Sequence, residues 1–223
     1  MLPKSAIFEF LTDLRHNNSK DWMDENRDRY HQARDRWIQE VGQILEALTE
    51  FDEGFGLLEP KSTLSRINNN RRFHPDRPLY KDYFTCDPSL DAMQLSVLHI
   101  SIGPGTSFVG AGMHHPSSEH LRLFHQAIDI HGDEFREIIQ QPEIKAFYGE
   151  LSTSDRDLKT APRGYAKDHP HIDILRRKSL TLMRTMTDEE VCADDFPEWI
   201  ARAYELLMPF NAYLAEAIQK ESV

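Results

Sequence analysis

Apolar and polar positions at the start of the chain recur with a helical period. Apolar residues lie three or four positions apart after Ser5, a suitable N-cap: Ile7, Phe10, Leu11 and Leu14. The same period resumes after Ser19 in a longer apolar stripe that ends near residue 51. The pattern therefore predicts two amphipathic helices, the first beginning at Ser5 and ended by the polar turn over residues 16–18, and the second over residues 19–51.

The middle of the chain has the composition of β-strands. Residues 95–102 and 106–113 are rich in β-branched and aromatic residues, and they flank the short turn Gly103-Pro104-Gly105. This arrangement is typical of a β-hairpin. Looser alternation predicts a further strand over residues 63–68, and an apolar run predicts one over residues 180–186.

Helical periodicity returns in the second half of the chain. It predicts helices over residues 116–138 with a break at Gly132, over 142–147, over 172–178 and over 196–218. Residues 151–170 are polar and rich in turn-forming residues, which indicates a long surface segment. We therefore predict an α+β fold in one domain, residues 1–223. An antiparallel or mixed sheet with a central hairpin would be packed by the N-terminal and C-terminal helices.

The distribution of charge changes this picture. The 223 residues carry a net charge of −11, yet two segments are basic. The first island, residues 60–85, has six Lys or Arg against two Asp, and the second island, residues 156–184, has eight against three. Two compact islands in an acidic chain disfavour extended nucleic-acid binding. They fit either a small anionic ligand or internal ion pairs.

Composition also indicates the cellular environment in which the protein is expected. Its two cysteines, Cys86 and Cys192, are far apart, which excludes a disulfide framework. No apolar run reaches the roughly 18 residues of a membrane span, and the first residues lack the apolar core of a signal peptide. We expect a cytoplasmic protein without membrane association.

The first island holds a candidate anion-binding set. On a strand over residues 64–68, Arg66 would present its guanidinium with little entropy to lose. The Tyr80 hydroxyl and the Lys81 ammonium would complete a clamp around an anion. The alternative is that the arginines pair with surface carboxylates and that residues 68–70 form a turn.

The second island holds a candidate base. Asp168 beside His169 has the residue types of an oriented general base, because a carboxylate fixes the imidazole tautomer and raises its basicity. The alternative is that both residues cap a helix that begins at Pro170.

Histidines between the hairpin and the following helix raise the question of a metal. His114, His115 and His120 lie close in sequence, with His99 and His125 further away. Imidazoles are zinc ligands, but their spacing here matches no metal signature and His-Glu-x-x-His is absent. We therefore assign no metal ligand, and the sequence identifies no cofactor.

An ordered set of short motifs runs nearly from end to end of the chain: Phe10-Leu11, Asn17-Asn18, Trp22, Arg66-Ile67, Arg72-Phe73, Tyr80-Lys81, Gly110-Ala111-Gly112-Met113, Pro162-Arg163-Gly164-Tyr165 and Asp168-His169-Pro170. In these motifs the chain resembles the uncharacterised, mainly bacterial family called domain of unknown function 2461. The resemblance implies no reaction, cofactor or partner, but some of its motifs lie in each of the two basic islands. The family pattern has arginine at the position of Asn69, aspartate at Asn70 and glycine at Ala111, so this chain lacks a possible ion pair.

These observations lead to one expectation and one rival. We expect a basic polar cleft that binds a small phosphate- or carboxylate-bearing molecule. The ligand-binding candidates are Arg66, Arg72, Tyr80, Lys81, Arg163, Tyr165 and Lys178. His169 with Asp168 is the candidate base, although the sequence leaves open whether the protein is an enzyme and how many copies assemble. The rival is a non-catalytic interaction module whose islands are structural or dock an acidic partner.

Overall fold

Helices and one sheet make up an α+β fold, as predicted. The computed structural model describes residues 2–72, 74–89 and 96–219. The elements in chain order are α1 (Ser5–His16), α2 (Lys20–Glu25), α3 (Arg27–Leu48), β1 (Phe84–Cys86), β2 (Ser96–Ile102), β3 (Ser107–Met113), α4 (Ser118–Ile139), α5 (Pro142–Tyr148), α6 (Ile172–Leu175), β4 (Leu180–Met186), α7 (Asp188–Cys192) and α8 (Phe196–Ile218). Two short 3₁₀ helices, Glu53–Leu57 and Pro60–Thr63, lie between α3 and β1.

The sheet is antiparallel, with strand order β1-β2-β3-β4. The predicted hairpin is confirmed as β2 and β3, although its first predicted residue, Leu95, lies outside the described residues. The strand predicted over residues 180–186 is confirmed as β4. The strand predicted over residues 63–68 is wrong: Leu64 forms an isolated bridge with Cys86 and Asn68 forms one with Tyr80. Thr63 ends a 3₁₀ helix, and the rest of the segment is not part of a continuous ladder.

The helices differ from the prediction mainly at their ends. The predicted helix over residues 19–51 is two helices, because Asn26 has non-helical backbone angles between α2 and α3. The helix predicted over 172–178 ends earlier, at Leu175, whereas α8 has the predicted ends. None of the helices in the described part of the chain combines the length and apolarity that crossing a bilayer requires.

Two compact units divide the chain. The first contains Met1–Leu90, His99–Val109 and Thr185–Arg202, and the second contains Asp91–Leu98, Gly110–Arg184 and Ala203–Val223. Each unit is built from segments that are distant in sequence. The single domain over residues 1–223 stays a prediction.

The first unit has a core between α1 and α3. Phe10, Leu14 and Trp37 are fully or almost fully buried there, because the apolar stripes of the two amphipathic helices face each other. Glu40 is also buried, with 1% of its surface exposed. The Lys4 amine lies 2.7 Å from one of its carboxylate oxygens, and the Arg36 guanidinium lies 2.9 Å from the other. The buried carboxylate is therefore paired with two cations.

The second unit has an aromatic core between α4 and α8. The rings of Phe124 and Phe135 meet edge to face at 5.3 Å, and Phe135 also contacts Phe210. Backbones approach closely at the glycine triplet, since a β-carbon on Gly110 would lie 2.4 Å from the Leu182 carbonyl oxygen. The triplet therefore serves strand packing and does not form a phosphate-binding loop.

Candidate functional site

A basic groove of about 200 Å³ opens in the first unit. We define it by its ten lining residues: Tyr30, Arg34, Ile38, Lys61, Leu64, Ser65, Arg66, Ile67, Phe84 and Thr85. Three of these side chains are cationic, and none of the described lining residues is acidic. Arg34 also contacts Asp35 beside it in α3, at 2.8 Å. The groove therefore offers an anion a positive local field.

Arg66 enters this groove because backbone pairing holds its segment. The Lys81 N–H donates a hydrogen bond to the Ile67 carbonyl at 2.7 Å, next to the bridge between Asn68 and Tyr80. The Asn18 side chain in turn donates to the Tyr80 carbonyl and accepts from the Tyr80 N–H, both at 2.9 Å. These bonds fix two motifs of the first island, which are distant in sequence, next to each other.

A second and larger cleft, of about 590 Å³, lies in the same unit. We call it the Lys81 cleft and define it by eleven residues: Arg15, Ser65, Lys81, Asp82, Tyr83, Thr85, Asp87, His99, Ser101, Thr106 and Phe108. Ser65 and Thr85 line both the groove and this cleft. Arg66 and Lys81 therefore serve neighbouring spaces that share a wall.

The amine of Lys81 contacts a hydroxyl. Its Nζ donates a hydrogen bond to Ser65 Oγ at 2.9 Å, and the Thr85 hydroxyl donates to the same oxygen at 2.7 Å. Burial lowers the pKa of Lys81 from its ordinary value, the nearby carboxylate of Asp87 partly opposes this change, and the positive charge of Arg77 adds to it. At a given pH, the neutral form of Lys81 is therefore more populated than that of a fully solvated lysine.

The other charged groups of the Lys81 cleft form pairs. The Arg15 guanidinium contacts Asp82 at 2.5 Å and donates to the Pro104 carbonyl at 3.0 Å. The His99 ring contacts Asp87 through Nδ1 at 2.5 Å, and it stacks on Phe108 with 5.3 Å between ring centroids. The imidazole is thus oriented on both sides, by a carboxylate and by an aromatic face.

The remaining candidates of the first island lie at the surface. Arg72 is exposed, and its N–H donates to the Asn70 side chain at 3.2 Å in a turn. Arg71 donates to the Pro75 carbonyl within the same segment. Phe73 lies outside the described residues. Of the four candidates in this island, Arg66 and Lys81 line the two spaces, and Tyr80 is half-buried beside them.

His169 of the second island, in the second unit, has a different carboxylate partner from the predicted one. Its Nε2 lies 3.0 Å from Asp129 in α4, whereas the neighbouring Asp168 is exposed. Its Nδ1 accepts the N–H of His171 at 3.1 Å. Because Nδ1 is an acceptor, the neutral ring carries its proton on Nε2 and donates it to Asp129. The role of His169 as a base stays a prediction, with Asp129 as its orienting carboxylate.

Tyr165 packs between two imidazoles. Its ring meets His125 edge to face at 5.7 Å and His169 at 6.1 Å. Burial lowers the pKa of His125, and the positive charge of Lys178 lowers it further, while a hydrogen bond with the Leu175 backbone opposes both. Its Nε2 is buried and has no hydrogen-bond partner among the described residues. Its surroundings therefore favour the neutral imidazole.

The other candidates of the second island are spread over its surface. Arg163 and Asp168 are exposed, and Lys178 is half-buried. The N–H of Lys178 and the guanidinium of Arg177 both bond to Asp157, at 2.9 and 3.0 Å. Arg177 of this island therefore forms an internal ion pair with Asp157.

The histidines after the hairpin contact each other. The rings of His114 and His115 are 4.1 Å apart, and the His115 N–H donates to the Ser179 hydroxyl at 3.2 Å. No group of three His, Cys, Asp or Glu side chains in the described ranges is placed to hold a metal ion.

Several residues of these sites were not identified from the sequence. Arg34 and Asp129 come from segments that reach Arg66 and His169 only in the folded chain. Ser65 is adjacent to Arg66 in sequence, but its contact with Lys81 is made by the fold. Asp87 follows β1 and was outside the predicted island. Tyr30 and Arg34 are four positions apart on α3, and the guanidinium lies 5.7 Å from the ring. That i,i+4 spacing was the one local sequence signal for the contact between Tyr30 and Arg34, and the same spacing is common on solvated helix faces.

Comparison with known proteins gives one family. Residues 6–213 match the family model described as conserved hypothetical protein, DUF2461, which confirms the resemblance found in the sequence motifs. Comparisons with curated proteins and with solved structures found no significant match.

Proposed function

Since the chain belongs to the DUF2461 family of conserved hypothetical proteins, whose description names no reaction, we propose a function from the geometry of the chain itself. The protein binds a small phosphate- or carboxylate-bearing molecule in the basic groove of the first unit. The observation that supports this proposal is the groove lining, in which Arg34, Lys61 and Arg66 are cationic and no described residue is acidic.

The three cations differ in what they offer a ligand. Arg34 is half-buried, stacks on Tyr30 and contacts Asp35, so its guanidinium is oriented before any ligand binds. Lys61 and Arg66 are exposed at the rim. Arginine forms bidentate hydrogen bonds with phosphate and carboxylate groups, whereas lysine acts as a point charge. This division of roles suits a compact anion of about the size of a phosphate or a carboxylate.

The groove is also the right size for part of a ligand. Pockets that enclose whole drug-sized molecules span about 300–1,000 Å³. At about 200 Å³ the groove accommodates the anionic group of a ligand, with the remainder outside the groove.

Thermal unfolding of the full chain tests the proposal, with inorganic phosphate and citrate as probes at constant ionic strength. A ligand at about 100 times its Kd adds roughly 2.7 kcal/mol to the stability of the folded state, which raises the Tm measurably. We expect Arg66→Met to remove this rise while it leaves the Tm without ligand nearly unchanged. Arg202→Met, at an exposed arginine of α8, is the matched control and should retain the rise.

Two outcomes would contradict the proposal. One is an equal rise in wild type, Arg66→Met and Arg202→Met, which would mark a non-specific salt effect. The other is no rise with either anion in a protein that folds normally, which would favour the rival interaction module.

A further inference from the structure

Lys81 differs from the other cations of its cleft in its contacts. Arg15 contacts Asp82, and His99 contacts Asp87. Within the described ranges no carboxylate oxygen lies within 4 Å of Lys81 Nζ, and its hydrogen bond goes to the neutral hydroxyl of Ser65 at 2.9 Å. The amine therefore lacks the contact that most strongly keeps a lysine protonated.

Ser65 is held so that it can hydrogen-bond to this amine as acceptor or as donor. The Thr85 hydroxyl, on a buried residue of β1, donates to Ser65 Oγ at 2.7 Å. With that lone pair occupied, the Ser65 proton is free to point at Lys81 Nζ when the amine is neutral. When the amine is charged, the direction of the bond reverses. Ser65 is thus a positioning residue that holds Nζ in both protonation states.

The Lys81 cleft also contains a group suited to proton transfer. The His99 ring is oriented by Asp87 and by its stacking on Phe108. Imidazole is the side chain that most readily takes up and releases protons near neutral pH. A nucleophilic amine and an oriented imidazole therefore line the same space.

We propose that Lys81 is a nucleophile that forms an imine with the carbonyl carbon of an anionic aldehyde or ketone. The inference rests on the proposed function, because the positive field of the basic groove, which shares Ser65 and Thr85 with this cleft, would attract an anionic substrate. The lowered pKa of Lys81 supports the same role, because only the neutral amine attacks a carbonyl.

The atoms of this step balance without any redox reagent. The Lys81 nitrogen lone pair forms a bond to the carbonyl carbon, and one proton moves from the nitrogen to the carbonyl oxygen to give a neutral carbinolamine. The carbinolamine hydroxyl then takes a second proton, relayed by His99, and leaves as water while the nitrogen forms the C=N bond. The products are one protonated imine on Lys81 and one water molecule.

Reductive trapping tests the inference on the full chain. The protein is incubated with glyoxylate at neutral pH, reduced with sodium borohydride and mapped by peptide mass spectrometry. We expect Lys81 to carry more label than any other lysine, including the exposed Lys145. Lys81→Arg keeps the positive charge and should lose the label while it retains its Tm. The matched change Lys145→Arg should leave the label on Lys81 unchanged.

Positioning by Ser65 has its own readout. Ser65→Ala should lower the initial rate of labelling at Lys81, because the amine loses its hydrogen-bond partner. Ser62→Ala, at an exposed serine that donates to the Glu59 carbonyl, should not. Equal rates in the two variants would contradict the role of Ser65.

Failure of the inference can be told apart from failure of the proposed function. If Arg66→Met removes the Tm rise with phosphate but Lys81 is labelled no more than Lys145, the imine proposal is wrong and the anion groove stands. The anionic substrate class is wrong if propanal labels Lys81 to the same extent as glyoxylate and if Arg66→Met leaves both labelling yields unchanged. Labelling by glyoxylate that inorganic phosphate suppresses would support both.

Discussion

The Nε2 atom of His169 lies 3.0 Å from Oδ1 of Asp129, a residue 40 positions earlier in the chain. The other ring nitrogen accepts the N–H of His171 at 3.1 Å. His169 therefore connects α4 to the turn that precedes α6, and both of its ring nitrogens are engaged. This arrangement gives the residue a structural role whether or not it also moves a proton.

That relationship predicts different effects at neighbouring positions. His169→Ala should lower the free energy of unfolding by about 1–2 kcal/mol, because it removes two hydrogen bonds from a mostly buried ring. Asp168→Asn should change it by less than about 0.5 kcal/mol, because Asp168 is exposed. Urea unfolding of both variants measures the difference. A larger loss from Asp168→Asn than from His169→Ala would contradict this assignment.

Gly132 leaves space for a second imidazole in the same unit. A β-carbon on Gly132 would lie 2.2 Å from Cδ2 of the buried His171 ring. Gly132→Ala should therefore destabilise the protein by about 1–3 kcal/mol through overpacking. Gly42→Ala in α3 is the matched control, because its β-carbon would meet Pro60 at an ordinary 3.7 Å.

The stability of the control variant Gly42→Ala should change in the opposite direction. Alanine has a higher helix propensity than glycine by about 1 kcal/mol, so Gly42→Ala should stabilise the protein by up to that amount. Thermal and urea unfolding of the pair give both signs. Equal changes at the two positions would mean that the His171 ring moves aside without loss of packing.

The sequence predicted the elements whose signal is local. The closing helix Phe196–Ile218 and the strand Leu180–Met186 have their predicted ends, because sustained periodicity and a short apolar run are read from neighbours in the chain. The segment around Leu64 was assigned wrongly, because its partners Cys86 and Tyr80 are single residues from another part of the chain. Alternation alone cannot distinguish isolated bridges from a ladder.

The same limit applies to the site. Arg66 and Lys81 were named from their residue types and from the family motifs, and they line adjoining spaces. Ser65 and Asp87 were not, since only backbone pairing and β1 bring them to Lys81. For His169, the sequence indicated the adjacent Asp168 because adjacency is all that a sequence displays, whereas the contact comes from Asp129 in another helix.

The buried carboxylate of Glu40 gives a further prediction. Its removal leaves the Lys4 amine and the Arg36 guanidinium, each with a side chain only 10% exposed, without their anionic partner. Breaking such a buried pair destabilises proteins by about 3–5 kcal/mol, so Glu40→Ala should do so here. Glu46→Ala, at an exposed position of the same helix, should change stability by less than about 0.5 kcal/mol.

Urea unfolding at neutral pH compares the two alanine variants directly. Glu40→Gln adds a second comparison, because it keeps the shape of the side chain and removes only its charge. A loss with Glu40→Gln close to that with Glu40→Ala would assign the effect to charge. Losses from Glu40→Ala as small as those from Glu46→Ala would show that the two cations find other partners.

His125 should make the stability of the protein depend on pH. Burial and the Lys178 charge lower its pKa in the folded state below the ordinary histidine value of 6.5, which applies to the unfolded chain. Between the two pKa values the unfolded chain binds more protons, so stability rises with pH across this window. The contribution is complete above pH 6.5 and is lost as the pH falls through the lowered pKa of the folded state.

His125→Gln removes this titration and should flatten the pH dependence of the free energy of unfolding between about pH 7.5 and about pH 5. His16→Gln, at an exposed histidine of α1, should leave the slope as in wild type. A slope that survives unchanged in His125→Gln would contradict the assignment of this titration to His125.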